Sequence, residues 1–229
     1  MIEKVVAFDL DGTLINSAPD ITTALNKVLI KNNGKEVSIN DVYKLVGNGA
    51  KALIVDSFNK QNIKISNIDK LTKDFLLEYR ECYKNKTSLF DNVLETIKQL
   101  NKLDFKLILV SNKPQFYVIK LLKHFKLSSF FESISGGDTY PYRKPDPRHI
   151  LSALEDAGIK HKCRGVFIGD SKYDYKCAEN IDWPCLLYSK GYSDIDINTL
   201  GARKIFDNYI NLPDLILDSF TNYNYKIKI

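Results

Sequence analysis

Two carboxylates separated by a single residue stand near the start of the chain, in Asp9-Leu10-Asp11-Gly12-Thr13. They directly follow the apolar run Val5, Val6, Ala7 and Phe8, which has the character of a buried strand. Side chains at i and i+2 on extended backbone leave the same face, so Asp9 and Asp11 would point the same way. Gly12 lets the chain turn sharply there, and Thr13 adds a hydroxyl and an N–H. Three later apolar runs end in polar groups of matching kind. Leu107 to Val110 leads into Ser111-Asn112-Lys113-Pro114. A weaker strand, Ser133-Ile134-Ser135, leads into Gly136-Gly137-Asp138 and then Arg143-Lys144-Pro145-Asp146-Pro147. Val166 to Ile168 leads into Gly169-Asp170-Ser171-Lys172-Tyr173-Asp174. Each later group has an ordinary structural use as well. Ser111 and Asp170 could cap helices, and Lys144 could be solvated. Together they supply two carboxylate pairs, a hydroxyl and amide, and a lysine, which suits a phosphate and a hard divalent cation.

These groups converge only if the strands lie side by side in one direction. Strand and helix patterns alternate along the chain, which predicts a Rossmann-like α/β fold with a parallel sheet. In such a sheet ligands bind beyond the carboxyl ends of the strands. Cys185 to Leu187 and Lys204 to Phe206 complete the strand candidates. Helical periodicity is carried by Val93, Ile97 and Leu100, and by Ile150, Leu151, Leu154 and Ala157, the latter with Asp146 as expected N-cap and Pro147 as first helical residue. Between residues 16 and 86 no convincing strand occurs. Ser17-Ala18-Pro19-Asp20 predicts a capping box opening a helix on Ile21, Ala24, Leu25, Val28 and Leu29. Further helices are expected over 41–58 and 69–83. This divides the chain into an α/β core, residues 1–15 and 87–229, and an inserted all-helical cap, residues 16–86. The tail from Asn222 to Lys226 is expected to fray.

Composition narrows the class. The chain has 229 residues, 44% hydrophobic and 27% charged, which suits a folded domain with a smaller companion. The net charge of +5 is spread among interleaved acids and bases, with no dense basic block, so no nucleic-acid partner is expected. No apolar stretch approaches a membrane span, and Asp9 cuts short the N-terminal apolar run, so neither membrane nor leader is expected. Four scattered cysteines without a Cys-x-x-Cys fit a reducing, cytoplasmic setting.

The combined motifs resemble the haloacid dehalogenase superfamily, and more closely its phosphoglycolate phosphatases with a helical cap. The resemblance covers nearly the whole chain and adds the stretch Val46-Gly47-Asn48-Gly49-Ala50. It implies Mg²⁺-dependent hydrolysis of a small phosphorylated metabolite, most simply 2-phosphoglycolate, by a monomer or homodimer. It implies Asp9 as nucleophile, Asp11 as general acid and base, and Lys144 as the group offsetting charge. Asp9, the Asp11 backbone carbonyl and Asp170 would hold Mg²⁺, with Asp174 in support. Thr13, Ser111 and Asn112 would bind phosphate. Gly47, Asn48 and Gly49 would face the substrate, although the same residues could be a simple helix-start turn. Lys144, in a strand-end loop, is expected to lie outside the core. The family's usual Asp is Asn16 here, expected to act as a helix cap, and its Pro-Gly turn is Asp91-Asn92. A pyrophosphatase or another small-molecule phosphatase shares most of these features, and a sugar phosphomutase fewer, since Thr13 stands where mutases carry Val. A dehalogenase would have no use for an acid at Asp11, and a non-catalytic scaffold should have lost a motif residue.

Overall fold

A computed structural model of the chain describes residues 2–222, so the expected fraying beyond Asn222 falls outside the described residues. Six strands form one parallel sheet: β1 (Lys4–Phe8), β4 (Lys106–Val110), β5 (Ser133–Ser135), β6 (Arg164–Gly169), β7 (Cys185–Tyr188) and β8 (Lys204–Phe206), in the order β5-β4-β1-β6-β7-β8. The weaker strand candidate, β5, and the last one along the chain, β8, are its edges. Two further two-residue strands, β2 (Ile15–Asn16) and β3 (Ser88–Leu89), pair antiparallel as a ribbon beside the sheet.

The strands are apolar on both faces because both are covered. Val6 and Phe8 of β1 pack on one side with Leu107, Leu109, Val166 and Ile168. Val5 and Ala7 pack on the other with Ile108, Val110 and Phe167. Helices α5 (Val93–Lys102), α6 (Gln115–His124) and α9 (Leu212–Asn222) bury their apolar residues in the first layer. Helices α7 (Arg148–Asp156) and α8 (Lys172–Glu179) cover the second, through Ile150, Ala153, Leu154, Cys177 and Ala178. Pro147 is the N-cap of α7, one residue later than expected, and Asp146 accepts from the Arg148 N–H.

Between β2 and β3 run α1 (Ala18–Lys31), α2 (Ile39–Tyr43), α3 (Gly49–Lys60) and α4 (Ile68–Arg80). Helix α1 buries the five residues its periodicity selects and packs against α4, as α3 does. The helix expected over 41–58 is two helices. The chain breaks at 44–48, where Gly47 (φ 126°) and Gly49 (φ 83°) adopt backbone that other residues avoid. Capping boxes also lie elsewhere. One joins Ser38 and Asp41 and another Ser171 and Asp174, while Ser17 and Asp20 have other partners. Asp20 is buried and accepts from the N–H groups of Lys86 and Thr87 and from the Thr87 hydroxyl. It thereby clips the chain's exit from the helices to its entry. Asn92 sits at φ 64°, a position suited to the glycine of the family's turn and tolerated by asparagine. No described helix is long and apolar enough to cross a membrane.

Register places the site. Phe8 pairs with Leu109 on one side and Ile168 on the other. Asp9 comes one residue after Phe8, and Ser111 and Asp170 two residues after its partners, so all three emerge at the carboxyl edge of the sheet, where the chain order reverses around β1.

Candidate active site

Asp9 leaves β1 with its N–H on the Ile168 carbonyl (2.9 Å) and its side chain buried. Lys144 Nζ lies 2.7 Å from Asp9 Oδ1 and 2.7 Å from Asp174 Oδ1. The other Asp174 oxygen accepts from the N–H groups of Asp170 and Ser171 and from the Ser171 hydroxyl, which also fixes the start of α8. Asp170 accepts from the Thr13 hydroxyl (2.9 Å) and the Tyr192 N–H (2.6 Å). Gly12 (φ 81°) is required here: a Cβ would lie 2.2 Å from Asp170 Oδ2.

Burial dominates the electrostatics of this cluster. It raises Asp9 to about 6, against the pull of Lys144 and with the push of Asp174. Burial, then Asp174 and Asp9, raises Asp170 well above the usual carboxylate range. For Lys144 burial works against the charge, but Asp174 and Asp9 outweigh it and raise the pKa above its ordinary value. His149 is pushed down to about 3 by burial and by Lys144. It stays neutral, and its Nδ1 accepts from the Lys144 N–H at 3.3 Å. The expectation that Lys144 lies outside the core is corrected. It is 1% exposed, because two buried carboxylates need its charge.

Asp11 is set apart from this cluster. Its carboxylate accepts from the Ser17 hydroxyl (2.5 Å) and from Lys113 Nζ (3.0 and 3.1 Å). Asp9, Asp11, Ser111, Asn112 and Lys113 form the polar floor of a cavity of about 50 Å³. Gly47 and Gly49 line its side. Ile21, Val46, Ala50, Leu53, Phe75 and Leu76, from the helices and the loop between β2 and β3, make an apolar wall.

Two carboxylates two residues apart, a buried lysine and an acidic cluster thus lie together at the carboxyl edge of the sheet, beside the helices between β2 and β3. The model of the haloacid dehalogenase-like hydrolases matches residues 6–187. The chain belongs to that family. It is 35% identical to a phosphoglycolate phosphatase of Colwellia psychrerythraea, over 92% of this chain and 95% of that protein. It is 32% identical to one of Psychrobacter arcticus, over 98% and 100%. The crystal structure of a predicted phosphoglycolate phosphatase from Haemophilus somnus superposes with a TM-score of 0.85 at 30% identity, covering 93% of this chain and 97% of that one. The chain is accordingly a phosphoglycolate phosphatase-like phosphoric monoester hydrolase.

Within this hydrolase several expected site residues also have partners in the fold. The Thr13 hydroxyl donates to Asp170. Asn112 Nδ2 donates to the carbonyls of Gly47 (2.9 Å) and Lys144 (3.0 Å), which latches the helical insert to the sheet edge. Ser111 is buried and lines the cavity. Gly47 and Gly49 reach the cavity, whereas Asn48 is not part of its lining and serves as N-cap position of α3. Asn16 caps no helix; its Oδ1 accepts from the Tyr192 hydroxyl.

Lys113, His149 and Tyr192 are neighbours of the site that the sequence reading passed over, and Ser17, expected to cap a helix, is another. Lys113 had a usable signal: it stands at i+2 from Ser111 at a strand end, so the two leave on one side. Tyr192 acts on Asp170 through its backbone N–H, which no residue type reveals.

The acidic cluster fits a divalent cation. Asp9, Asp170 and Asp174 present oxygens within 4.8 Å of one another, all buried. A single lysine faces them, and the raised values of Asp9 and Asp170 mark the charge left uncompensated. The donors are hard oxygens, which suit Mg²⁺ rather than a thiolate- or imidazole-bound metal. Asp174 is held by Lys144 and the start of α8, and Asp170 by Thr13 and Tyr192, so a cation here would share these carboxylates with their present partners.

Proposed function

We propose that this enzyme hydrolyses 2-phosphoglycolate to glycolate and phosphate through an aspartyl-phosphate on Asp9, with Mg²⁺ as cofactor and residues 16–86 as the cap. The observation that carries this reading is the cavity. Asp9 and Asp11 share one small space, which suits a short substrate and disfavours sugars and nucleotides. The relatives' names agree with it.

In the first step an Asp9 carboxylate oxygen forms a bond to phosphorus as the bond from phosphorus to the glycolate oxygen breaks. Asp11 gives a proton to that leaving oxygen. After glycolate departs, Asp11 takes a proton from a water, whose oxygen attacks the phosphoryl group and restores Asp9. Lys144, with one Asp9 oxygen at 2.7 Å, orients the nucleophile and offsets the charge of the approaching dianion. Ser111 donates to a phosphate oxygen. Mg²⁺, when held by Asp9, Asp170 and the Asp11 carbonyl, supplies the positive charge that a carboxylate needs beside a phosphate dianion. The helical cap, latched through Asn112 and Gly47, keeps bulk water from the phosphoenzyme until glycolate has left.

A hydrolysis screen over phosphoglycolate, pyrophosphate, hexose phosphates and nucleotides tests this. Phosphoglycolate should have the highest kcat/KM with Mg²⁺, and excess EDTA should abolish turnover. Ca²⁺ should inhibit, since its looser shell would let Asp9 chelate the metal instead of attacking. Full activity in EDTA removes the metal from the mechanism, and a preference for pyrophosphate replaces the substrate.

A further inference from the structure

Lys113 is buried, yet the steps above leave it without a task beyond pairing with Asp11. An ammonium has three N–H donors, and two are accounted for by the two Asp11 oxygens. Among the residues lining the cavity it is the one cation; the buried Lys144 is held by Asp9 and Asp174. Its Nζ lies 4.6 Å from the centre of the Tyr79 ring. Tyr79, on α4, lines the same cavity, is 2% exposed, and its hydroxyl has no hydrogen-bond partner among the described residues. A buried hydroxyl without an acceptor costs free energy, so a phenol kept in that state beside a cation points to an acceptor brought by a ligand.

We propose that Lys113 and Tyr79 form the subsite that reads the carboxylate of the substrate's leaving group. This rests on the phosphoglycolate assignment. The leaving oxygen takes its proton from Asp11, so groups touching Asp11 also face the leaving group. In 2-phosphoglycolate the carboxylate is joined to that oxygen through a single methylene. One carboxylate oxygen accepts from the Lys113 ammonium and the other from the Tyr79 hydroxyl. The rest of that wall is apolar and would reject an anion, so these two groups decide whether a charged leaving group is admitted.

The test compares 2-phosphoglycolate with 2-hydroxyethyl phosphate, which replaces the carboxylate by an uncharged hydroxymethyl group. The measurement is the ratio of the two kcat/KM values, with Mg²⁺ present. Removing Asp11's counter-ion harms both substrates alike, and that harm cancels in the ratio. Lys113→Met should lower the ratio by about 10²-fold, chiefly through the KM for phosphoglycolate. Tyr79→Phe, which deletes a single oxygen, should lower it by about 10-fold. Should the Lys113 variant fail to fold, the Tyr79 variant decides alone. A ratio left at the wild-type value by the folded variants overturns the subsite. A wild-type enzyme without preference for phosphoglycolate over 2-hydroxyethyl phosphate overturns the substrate assignment first, and the subsite with it.

Discussion

Asp9→Asn should abolish turnover, by a factor on the order of 10⁵ or more, while leaving the protein at least as stable as the parent. An amide has the same shape as the carboxylate but cannot attack phosphorus, and loss of a covalent nucleophile is among the largest single-residue effects in catalysis. The stability half of the prediction comes from the burial. Asp9, Asp170 and Asp174 crowd within 4.8 Å, and burial raises the pKa of Asp9 to about 6. Removing one of these charges relieves repulsion, and Lys144 keeps Asp174 as partner. Steady-state hydrolysis and a thermal melt in EDTA read the two halves separately. Turnover within tenfold of the parent would remove Asp9 from the role of nucleophile.

Lys144→Met should fail in both respects. Turnover should fall about 10²–10³-fold, as for loss of one preorganised electrostatic contact. The fold should also lose about 3–5 kcal/mol, the usual result of stranding buried charges by removing their partner. Lys144 is 1% exposed, with Asp9 and Asp174 each at 2.7 Å, so solvent cannot replace it. Urea denaturation in EDTA should show the full loss. Added Mg²⁺ should recover part of it, because a divalent cation on Asp9 and Asp170 takes over some of the compensation. Equal stability of variant and parent in EDTA would show that the cluster is not held by this lysine.

The sheet was legible because its strands are short apolar runs buried on both faces, from Val5 to Phe8 and from Val166 to Ile168. The acidic residues were legible because they sit where those runs stop, and parallel order brings such ends together. Misjudgements arose where a side chain had two possible partners. Ser17 and Asp20 have capping-box spacing, yet Ser17 serves Asp11 and Asp20 holds residues 86 and 87. Thr13 and Asn112 carry the right atoms for a phosphate, and packing also gives them Asp170 and the Gly47 carbonyl as partners, which no spacing along the chain records. Periodicity carried the helix from 41 to 58 straight through two glycines whose positive φ breaks it. Lys113 and Tyr79 meet through tertiary packing of α4 over the end of β4, and no spacing along the chain records that contact.

The most direct test of the mechanism separates Asp11 from Asp9. Asp11→Asn keeps the nucleophile and loses proton transfer, so phosphoryl transfer from acetyl phosphate, whose acetate leaves unaided, should proceed while hydrolysis of the phosphoenzyme slows by about 10²–10⁴-fold. Rapid quenching of Asp11→Asn with labelled acetyl phosphate and Mg²⁺ should therefore trap one phosphoryl group per chain, on the peptide that contains Asp9 and removable by hydroxylamine. The same experiment on Asp9→Asn should trap none. Label retained by Asp9→Asn, or an Asp11→Asn enzyme that never carries phosphate, would contradict an aspartyl-phosphate mechanism at Asp9.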